Sequence, residues 1–178
     1  MFSFSFCMEN IISLCFHFTG SCNTWESLDI TQGMVVKEYQ NWGDVYTIQF
    51  DIKVTNVPST LVNVFQFIVN DDVGTYGPIS ALWITEDEHF YICSAINGDK
   101  DFCESFCFAL GMDHQITIQQ FKDNGKYWYQ ILIDGKTKLM IENTQPESFP
   151  IVNFYASDQW NETFSSEFGS IGNVKIGK

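Results

Sequence analysis

Residues 114–160 read HQITIQQFKDNGKYWYQILIDGKTKLMIENTQPESFPIVNFYASDQW, and this stretch decides the fold class. Apolar and polar residues alternate with a period of two in short segments, which is typical of β-strands with one buried face. The predicted strands span residues 115–121, 127–133, 136–142 and 151–155. Asp123-Asn124-Gly125 and Asp134-Gly135 indicate tight hairpin turns, because Asn, Asp and Gly accept a positive φ. The stretch therefore predicts an antiparallel meander.

The same pattern runs through the rest of the 178 residues. Residues 45–54 form the longest alternating run of the first half, and further short runs follow at regular spacing between turn residues. Residues 22–29 are predicted to be an irregular segment, and residues 41–44 a turn. Apolar residues at the i, i+3, i+4 spacing of a helix are missing. About ten to a dozen short strands predict an all-β fold, a two-sheet antiparallel β-sandwich or jelly roll.

The charge of the chain argues against one class of partner. The sequence has 22 acidic residues and 9 basic ones, all lysine, and its formal net charge is −13. Nucleic-acid binding needs a basic surface that neutralises phosphates, so no nucleic-acid partner is predicted. No membrane span is predicted either, because Glu9, Asn10 and Thr19 interrupt the N-terminal apolar run. An acidic surface suits divalent cations or cationic partners, although solubility alone explains it.

The first 21 residues resemble a secretory leader. Residues 1–20 are strongly apolar and end in a glycine, although a basic start is missing and Glu9 interrupts the apolar run. The alternative is an N-terminal core strand. We expect residues 1–21 to be a signal peptide and residues 22–178 to form a single β-sandwich domain that is secreted.

The cysteines and one glycosylation motif favour an extracellular setting. Without the leader, the remaining cysteines are Cys22, Cys93, Cys103 and Cys107. Four cysteines allow three pairings, and the sequence does not choose among them. Cys93 and Cys103 flank a predicted turn at residues 97–100, so a cross-strand bridge is geometrically reasonable, and free buried thiols are the alternative. A glycosylation sequon begins at Asn161. Together these features predict an oxidising compartment.

Several segments between Trp42 and Ile176 follow one another in a familiar order. They are residues 46–52 (YTIQFDI), 63–67 (NVFQF), 95–98 (AING), 118–127 (IQQFKDNGKY), 131–136 (ILIDGK), 142–146 (ENTQP) and 152–160 (VNFYASDQW). This order resembles a module of secreted invertebrate proteins, especially cnidarian ones, with a Tyr-Ala-Ser-Asp-Pro-Trp-like hallmark. The resemblance implies a concanavalin A-like, laminin-G-type jelly roll, and it brings no catalytic residues with it.

The chain departs from that family at two positions. Tyr76-Gly-Pro-Ile-Ser stands where the family tends to have Tyr-Gly-Asp-Arg-Ile-Pro, so an Asp and an Arg are lost. Gln159 stands where the family has a proline. Recognition through that Asp-Arg pair is therefore not carried over to this chain.

Glycan hydrolysis is one function that this architecture hosts, and it needs two carboxylates that face each other. Residues on one strand face are two positions apart, and the nearest pattern is Glu86-Asp87-Glu88. Asp87 would point away from the two glutamates, so we interpret the segment as a solvated turn. We predict a protein that is not an enzyme, with a glycan hydrolase as the minor alternative.

Calcium-assisted binding is a second hypothesis, because calcium prefers carboxylate, amide and carbonyl oxygens. Asn70, Asp71 and Asp72 form the densest cluster of such oxygens on a predicted loop, and Asp158 offers another. The alternatives are a turn-forming polar loop and an Asx-type turn. No cofactor is predicted to be required, and Ca²⁺ is the one ion that the loops would suit.

Sugar binding to an aromatic surface is a third hypothesis, because sugar rings stack on aromatic faces and amides hydrogen-bond hydroxyl groups. Trp128 is predicted to lie on the outer face of a sheet near Gln119 and Gln130, and Tyr76 lies on a predicted loop. Covering of Trp128 by a loop is the alternative. The sequence thus favours a secreted, lectin-like module that binds glycans. A matrix or adhesion module that binds extracellular protein is the runner-up.

Overall fold

The computed structural model describes residues 23–27, 33–71, 77–157 and 162–178. The strands are β1 (Asn23–Ser27), β2 (Met34–Trp42), β3 (Tyr46–Val54), β4 (Val62–Val69), β5 (Pro78–Ile84), β6 (His89–Cys93), β7 (Cys103–Cys107), β8 (Asp113–Asp123), β9 (Lys126–Ile133), β10 (Lys136–Glu142), β11 (Phe149–Ala156), β12 (Glu162–Thr163) and β13 (Gly169–Gly177). None of the described residues is helical, so this part of the chain has no helix that could cross a bilayer. The predicted all-β fold is confirmed.

The strands form two sheets that face each other. Sheet A has the order β1-β13-β3-β8-β9-β10, and sheet B has the order β2-β11-β4-β5-β6-β7. Neighbouring strands in both orders are antiparallel, and the short β12 adds a parallel pair with β4. The predicted two-sheet antiparallel β-sandwich of concanavalin A-like jelly-roll type is therefore confirmed.

Three of the four strands in the predicted meander, β8, β9 and β10, lie side by side at one side of sheet A. The fourth is wrong as a meander strand, because residues 151–155 belong to β11, which pairs with β2 and β4 in sheet B. Asn124 and Gly125 have φ values of 49° and 80°, and Asp134 and Gly135 have φ values of 54° and 71°. Two positive φ angles in a two-residue loop define the hairpin turn whose twist matches the flanking strands. The turn residues therefore set the register of these hairpins, and Ile116 pairs with Ile133 across β8 and β9.

An aromatic core joins the two sheets. Alternate residues of β3 are buried, and Phe50 contacts Phe65 of sheet B with ring centroids 4.9 Å apart. Within sheet B, Phe67 stacks on Phe154 at 4.7 Å, with the rings nearly parallel. Such contacts stabilise the sandwich through apolar burial and ring geometry.

Two sequence predictions about the first strands are wrong. Asn23–Ser27 forms β1, which pairs with β13, although the segment was predicted to be irregular. The turn predicted at residues 41–44 begins later, because β2 continues to Trp42, which pairs with Phe149. Asn41 has a left-handed φ of 53°, and this one residue shifts the alternation so that Trp42 is buried. A period-two pattern does not anticipate such a shift.

Candidate functional site

A cavity of about 260 Å³ lies at one end of the sandwich, and we call it the end cavity. Strand ends and two loops surround it, namely the β6–β7 loop at residues 94–102 and the β10–β11 loop at residues 143–148. Its lining residues are Trp42, Tyr46, Ile79, Ala95, Gly98, Lys100, Gln120, Asn143, Gln145, Glu147 and Phe149. Pockets for drug-sized ligands measure about 300–1,000 Å³, so this volume suits a ligand about the size of one sugar ring.

Trp42 lines the end cavity and carries a hydrogen-bond donor without a partner in the described part of the chain. Its side chain is 1% exposed, and its ring packs against Tyr39, Tyr46 and Phe67 at centroid distances of 5.4, 5.5 and 5.4 Å. These contacts hold the indole in place. Its Nε1 is buried and has no hydrogen-bond partner in the described part of the chain. Most buried N–H groups are paired, so this unpaired N–H, on a residue that lines the end cavity, is a candidate donor to a ligand.

Buried amides form a fixed wall beside Trp42. Gln120 donates from Nε2 to the carbonyl oxygen of Asp44 at 2.7 Å, and its Oε1 accepts from Asn143 Nδ2 at 2.6 Å. Asn143 Oδ1 in turn accepts from the backbone N–H groups of Asn97 and Gln145, both at 3.1 Å. Side chains that are hydrogen-bonded on both sides lose little further freedom when a ligand binds. The wall is therefore preorganised.

Asn97 ties the two loops of the end cavity together. Its Nδ2 donates to the carbonyl oxygen of Glu142 at 3.0 Å, and its Oδ1 accepts from the backbone N–H and the hydroxyl of Thr144 at 2.6 and 2.8 Å. Its carbonyl oxygen accepts from Gln145 Nε2 at 3.3 Å. Gly98 follows with a φ of 76°, and a Cβ there would lie 2.9 Å from Gln145 Oε1. The two loops therefore interlock closely.

The β6–β7 loop is also closed covalently. A disulfide joins Cys93 to Cys103, at the end of β6 and the start of β7. Beside it, the Ser94 hydroxyl and the buried Tyr129 hydroxyl lie 2.7 Å apart and share a hydrogen bond. The rim of the end cavity is thus held by a covalent bond as well as by Asn97.

The chemistry of the end cavity combines aromatic rings with neutral and charged polar groups. Burial, together with the neighbouring Tyr129, raises the pKa of Tyr46 well above its usual value, so its hydroxyl stays protonated and donates to the Ile79 carbonyl oxygen at 3.5 Å. Lys100, Gln145 and Glu147 are exposed on the rim. Such a set suits a small ligand that carries several hydroxyl groups.

The predicted aromatic surface lies elsewhere, on the outer face of sheet A. Trp128 and Gln130 are two residues apart on β9, and Gln119 pairs with Gln130 across β8 and β9. Gln119 donates from Nε2 to Gln130 Oε1 at 2.6 Å, and Gln130 donates onward to the Thr137 hydroxyl at 2.8 Å. Trp128 is half-buried. The predicted neighbours are together, but these hydrogen bonds already use donors of both amides.

The predicted calcium loop is only partly described. Asn70 and Asp71 have positive φ values of 48° and 60° and form a turn after β4. Asp71 Oδ1 accepts from Asn153 Nδ2 at 2.6 Å and from the Tyr155 hydroxyl. Burial, and then the Asp71 carboxylate, raise the pKa of Tyr155 to about 12. No group of three or more metal-binding side chains occurs in the described ranges. Asp72, Tyr76, Asp158 and Asn161 lie outside the described residues, as do Cys22 and residues 1–21.

A second cavity, of about 640 Å³, lies near the start of β8 and holds several carboxylates. Asp51 accepts from Gln115 Nε2 at 3.2 Å and from Asn173 Nδ2 at 2.6 Å. Asp134 lies 2.9 Å from His114 Nδ1 and accepts from the Gln115 N–H at 3.0 Å. Burial opposes ionisation of Asp134, but these hydrogen bonds outweigh it and lower its pKa. Because protein donors already serve these two carboxylates, we take the end cavity as the candidate site.

The residues of the end cavity were not identified as a site from the sequence. Asn97 and Asn143 lie inside the segments AING and ENTQP, which carry the family resemblance, and the sequence pattern predicts a turn at Trp42. Those segments were the available signal. The order of strands in the sheets decides which residues come together when they are 45 or more positions apart in the sequence.

No protein-family model matches the chain, and no curated protein matches it. Among solved structures, the receptor-binding domain of botulinum neurotoxin D is similar, with a TM-score of 0.55, 10% identity, and coverage of 89% of this chain and 44% of that chain. The CBM40 of a Ruminococcus gnavus sialidase, bound to α2,3-sialyllactose, gives a TM-score of 0.52, 12% identity, and coverage of 83% and 89%. A leech intramolecular trans-sialidase gives 0.55, 11%, and coverage of 88% and 25%.

These similarities concern the fold. The chain spans less than half of the toxin domain and about a quarter of the leech protein, and all three identities are low. The similar structures include a sugar-bound module and an enzyme, so they leave open whether this chain catalyses a reaction. They show that the chain shares the jelly-roll β-sandwich fold.

Proposed function

We propose that this protein is a secreted, non-enzymatic recognition domain that binds one sugar residue of a glycan in the end cavity. The observation that carries the proposal is the buried Nε1–H of Trp42, which has no partner among the described residues. A sugar hydroxyl or carbonyl oxygen would accept from this N–H. Gln145 and Glu147 on the rim would bind further hydroxyl groups.

Binding is favoured over hydrolysis by the composition of the cavity wall. Glu147 is the single carboxylate among the described residues that line it. Hydrolysis of a glycosidic bond uses a pair of carboxylates on either side of that bond. The wall suits recognition, and the sugar-bound CBM40 is a precedent for recognition on this fold.

The part played by calcium stays a prediction. Asp71 Oδ1 already accepts from Asn153 and Tyr155, so a calcium ion there would share this carboxylate with two protein donors. Binding in the end cavity needs none of these three residues. We therefore expect glycan binding to persist when calcium is chelated.

A protein-binding role is the second candidate, and the outer face of sheet A favours it. Met140 is 47% exposed and pairs with Gln130 across β9 and β10, beside the half-buried Trp128. Exposed apolar groups of this kind often mark contact surfaces. This surface is separate from the end cavity, so the two candidates are distinguishable by substitution.

A glycan array tests the proposal, with the purified protein applied in calcium and again in chelator. The array hit is then titrated by calorimetry against two matched variants, Trp42→Phe and Trp128→Phe. Each variant keeps an aromatic ring and removes one indole N–H. Loss of a hydrogen bond to the ligand costs about 1 kcal/mol or more, so we expect Trp42→Phe to weaken binding at least about five-fold. Trp128→Phe should leave the affinity unchanged.

Glu147→Gln adds a second test at an exposed position. Hydrogen bonds to a charged acceptor are about twice as strong as neutral ones, so the loss is about 1 kcal/mol and we expect about five-fold weaker binding. Thermal unfolding of each variant checks that the fold is intact. A blank array in both buffers, or weakening by Trp128→Phe alone, would overturn the proposed site. The second outcome would favour the outer face of sheet A.

A further inference from the structure

A cysteine and a histidine face each other on the β6–β7 hairpin. Cys107 and His89 are directly paired across the two strands, and Cys107 Sγ lies 3.0 Å from His89 Nε2. Cys107 is exposed and forms no disulfide with another described residue. The hairpin is an edge of sheet B, and the Cys93–Cys103 disulfide lies at its other end. The thiol is therefore open to solution and held next to a base.

The hydrogen bonds of His89 decide which ring nitrogen carries the proton. His89 Nδ1 lies 2.8 Å from the carbonyl oxygen of Asp87, and that oxygen can only accept. Nδ1 is therefore the N–H donor, so in the neutral ring Nε2 has a free lone pair that faces the thiol. The tautomer that the turn selects is the one that can take a proton from Cys107.

A tight turn holds Asp87 in place. The segment Glu86-Asp87-Glu88, which the sequence suggested as a solvated turn, does form the turn between β5 and β6, with a φ of 62° at Glu88. The Thr85 hydroxyl donates to the Asp87 carboxylate, and this bond is the main cause that lowers the pKa of Asp87. The ionised carboxylate lies 3.4 Å from His89 Nδ1, where it would stabilise a protonated imidazole. Cys107, His89 and Asp87 therefore lie in a row as a nucleophile, a base and a group that orients the base.

We propose that Cys107 is a reactive thiol that forms a mixed disulfide with low-molecular-weight disulfides. The thiol proton moves to His89 Nε2, and the thiolate attacks one sulfur of the incoming disulfide. The S–S bond of that molecule breaks, a Cys107 mixed disulfide forms, and the leaving thiolate takes the proton from His89. One disulfide is consumed and one is formed, so no further oxidant is needed.

Disulfide exchange fits this site better than acyl transfer. Acyl transfer needs N–H donors that bind a developing oxyanion. The backbone N–H of Phe108, the residue after Cys107, already bonds to the carbonyl oxygen of Glu88 at 3.2 Å. Disulfide exchange requires a thiolate and access, and Cys107 has both a neighbouring base and exposure.

Glutathione disulfide is the probe for the test. The full chain and a His89→Gln variant are incubated with it, and the peptide that contains Cys107 is followed by mass spectrometry so that other cysteines do not contribute. A positioned general base accelerates proton transfer by about 10²–10⁴, so we expect at least about ten-fold slower modification of the variant at pH 7. At pH 9.5 a thiol ionises without help, and the two rates should converge. Cys107→Ser should remove the adduct from this peptide.

Four results would overturn the proposal. The first is no adduct on Cys107, and the second is an equal rate for the two proteins at pH 7. The third is a variant that is slower by the same factor at both pH values, because packing rather than proton transfer would then explain the effect. The fourth is a freshly purified protein in which Cys107 is already bonded to another cysteine, such as Cys22. None of these results bears on glycan binding.

Discussion

Replacement of Asn97 by glycine and by alanine separates two contributions to the rim of the end cavity. The side chain of Asn97 makes three hydrogen bonds, to Glu142 and Thr144. At about 0.5–1.5 kcal/mol each, and with Asn97 exposed, their sum is about 2 kcal/mol. Asn97 also has a φ of 57°, a left-handed conformation that Gly and Asn adopt readily but in which alanine is strained by about 1 kcal/mol or more.

The expected free energies of unfolding follow from these terms. Asn97→Gly loses the hydrogen bonds and should be about 2 kcal/mol less stable than the natural protein. Asn97→Ala loses the same bonds and adds backbone strain, so it should be less stable by about 3 kcal/mol. For a chain of this length, 1 kcal/mol shifts Tm by about 2–4 °C, which gives about 4–8 °C and 6–12 °C. Urea unfolding and calorimetry measure both quantities.

Asn124 provides a matched control. It also has a positive φ, of 49°, but the one hydrogen bond found for its side chain goes to its neighbour Asp123. Asn124→Gly should therefore change stability little, while Asn124→Ala should show the backbone strain alone. If Asn97→Gly is as stable as the natural protein, the hydrogen bonds do not hold the loops together. If Asn97→Ala is more stable than Asn97→Gly, the left-handed conformation is wrong.

Two further predictions concern stability. Replacement of Cys93 and Cys103 by alanine opens a loop whose ends are 10 residues apart in sequence, and the chain-entropy model gives a loss of about 3 kcal/mol in the free energy of unfolding. Urea unfolding measures this loss, with Cys107→Ser as a control whose stability should be unchanged. A loss below about 1 kcal/mol would contradict the prediction. Asp134 has a lowered pKa in the folded state, so its ionised carboxylate stabilises the fold above the unfolded-state pKa, and this stabilisation is lost as pH falls through the folded-state pKa. Asp134→Asn keeps a favourable Asn-Gly turn and should lower the free energy of unfolding at pH 7 by less than about 1 kcal/mol. This difference should vanish at pH 2–3, and an unchanged difference at low pH would contradict a lowered pKa for Asp134.

The sequence alone predicted the strands β8, β9 and β10 and which residues of β9 face inward, although it placed residues 151–155 in the same meander and the structure has them in sheet B. Tyr129, Ile131 and Ile133 are buried, and Trp128 and Gln130 face the other way, as the period of two predicted. The reason is local, because successive side chains of a strand point to opposite faces. The turns at Asn124 and Asp134 could also be predicted from the local sequence, because the preference for a positive φ is a property of the residue type.

The candidate site could not be predicted in this way. Asn97 and Glu142 are 45 residues apart, and they meet because the loops after β6 and β10 close the same end of the sandwich. The buried indole of Trp42 depended on one left-handed residue before it, which moved Trp42 from a predicted turn into the core.

The sequence by itself determined the all-β fold, the acidic surface and the positions of the hairpin turns, since composition, periodicity and φ preference are properties of short segments. The pairing of His89 with Cys107, the rim that Asn97 holds, and the unpaired N–H of Trp42 were decided by the tertiary structure. These features require particular strands to lie side by side and particular loops to share one end of the sandwich. Many strand orders satisfy the same local pattern, and only packing of the whole chain selects one of them.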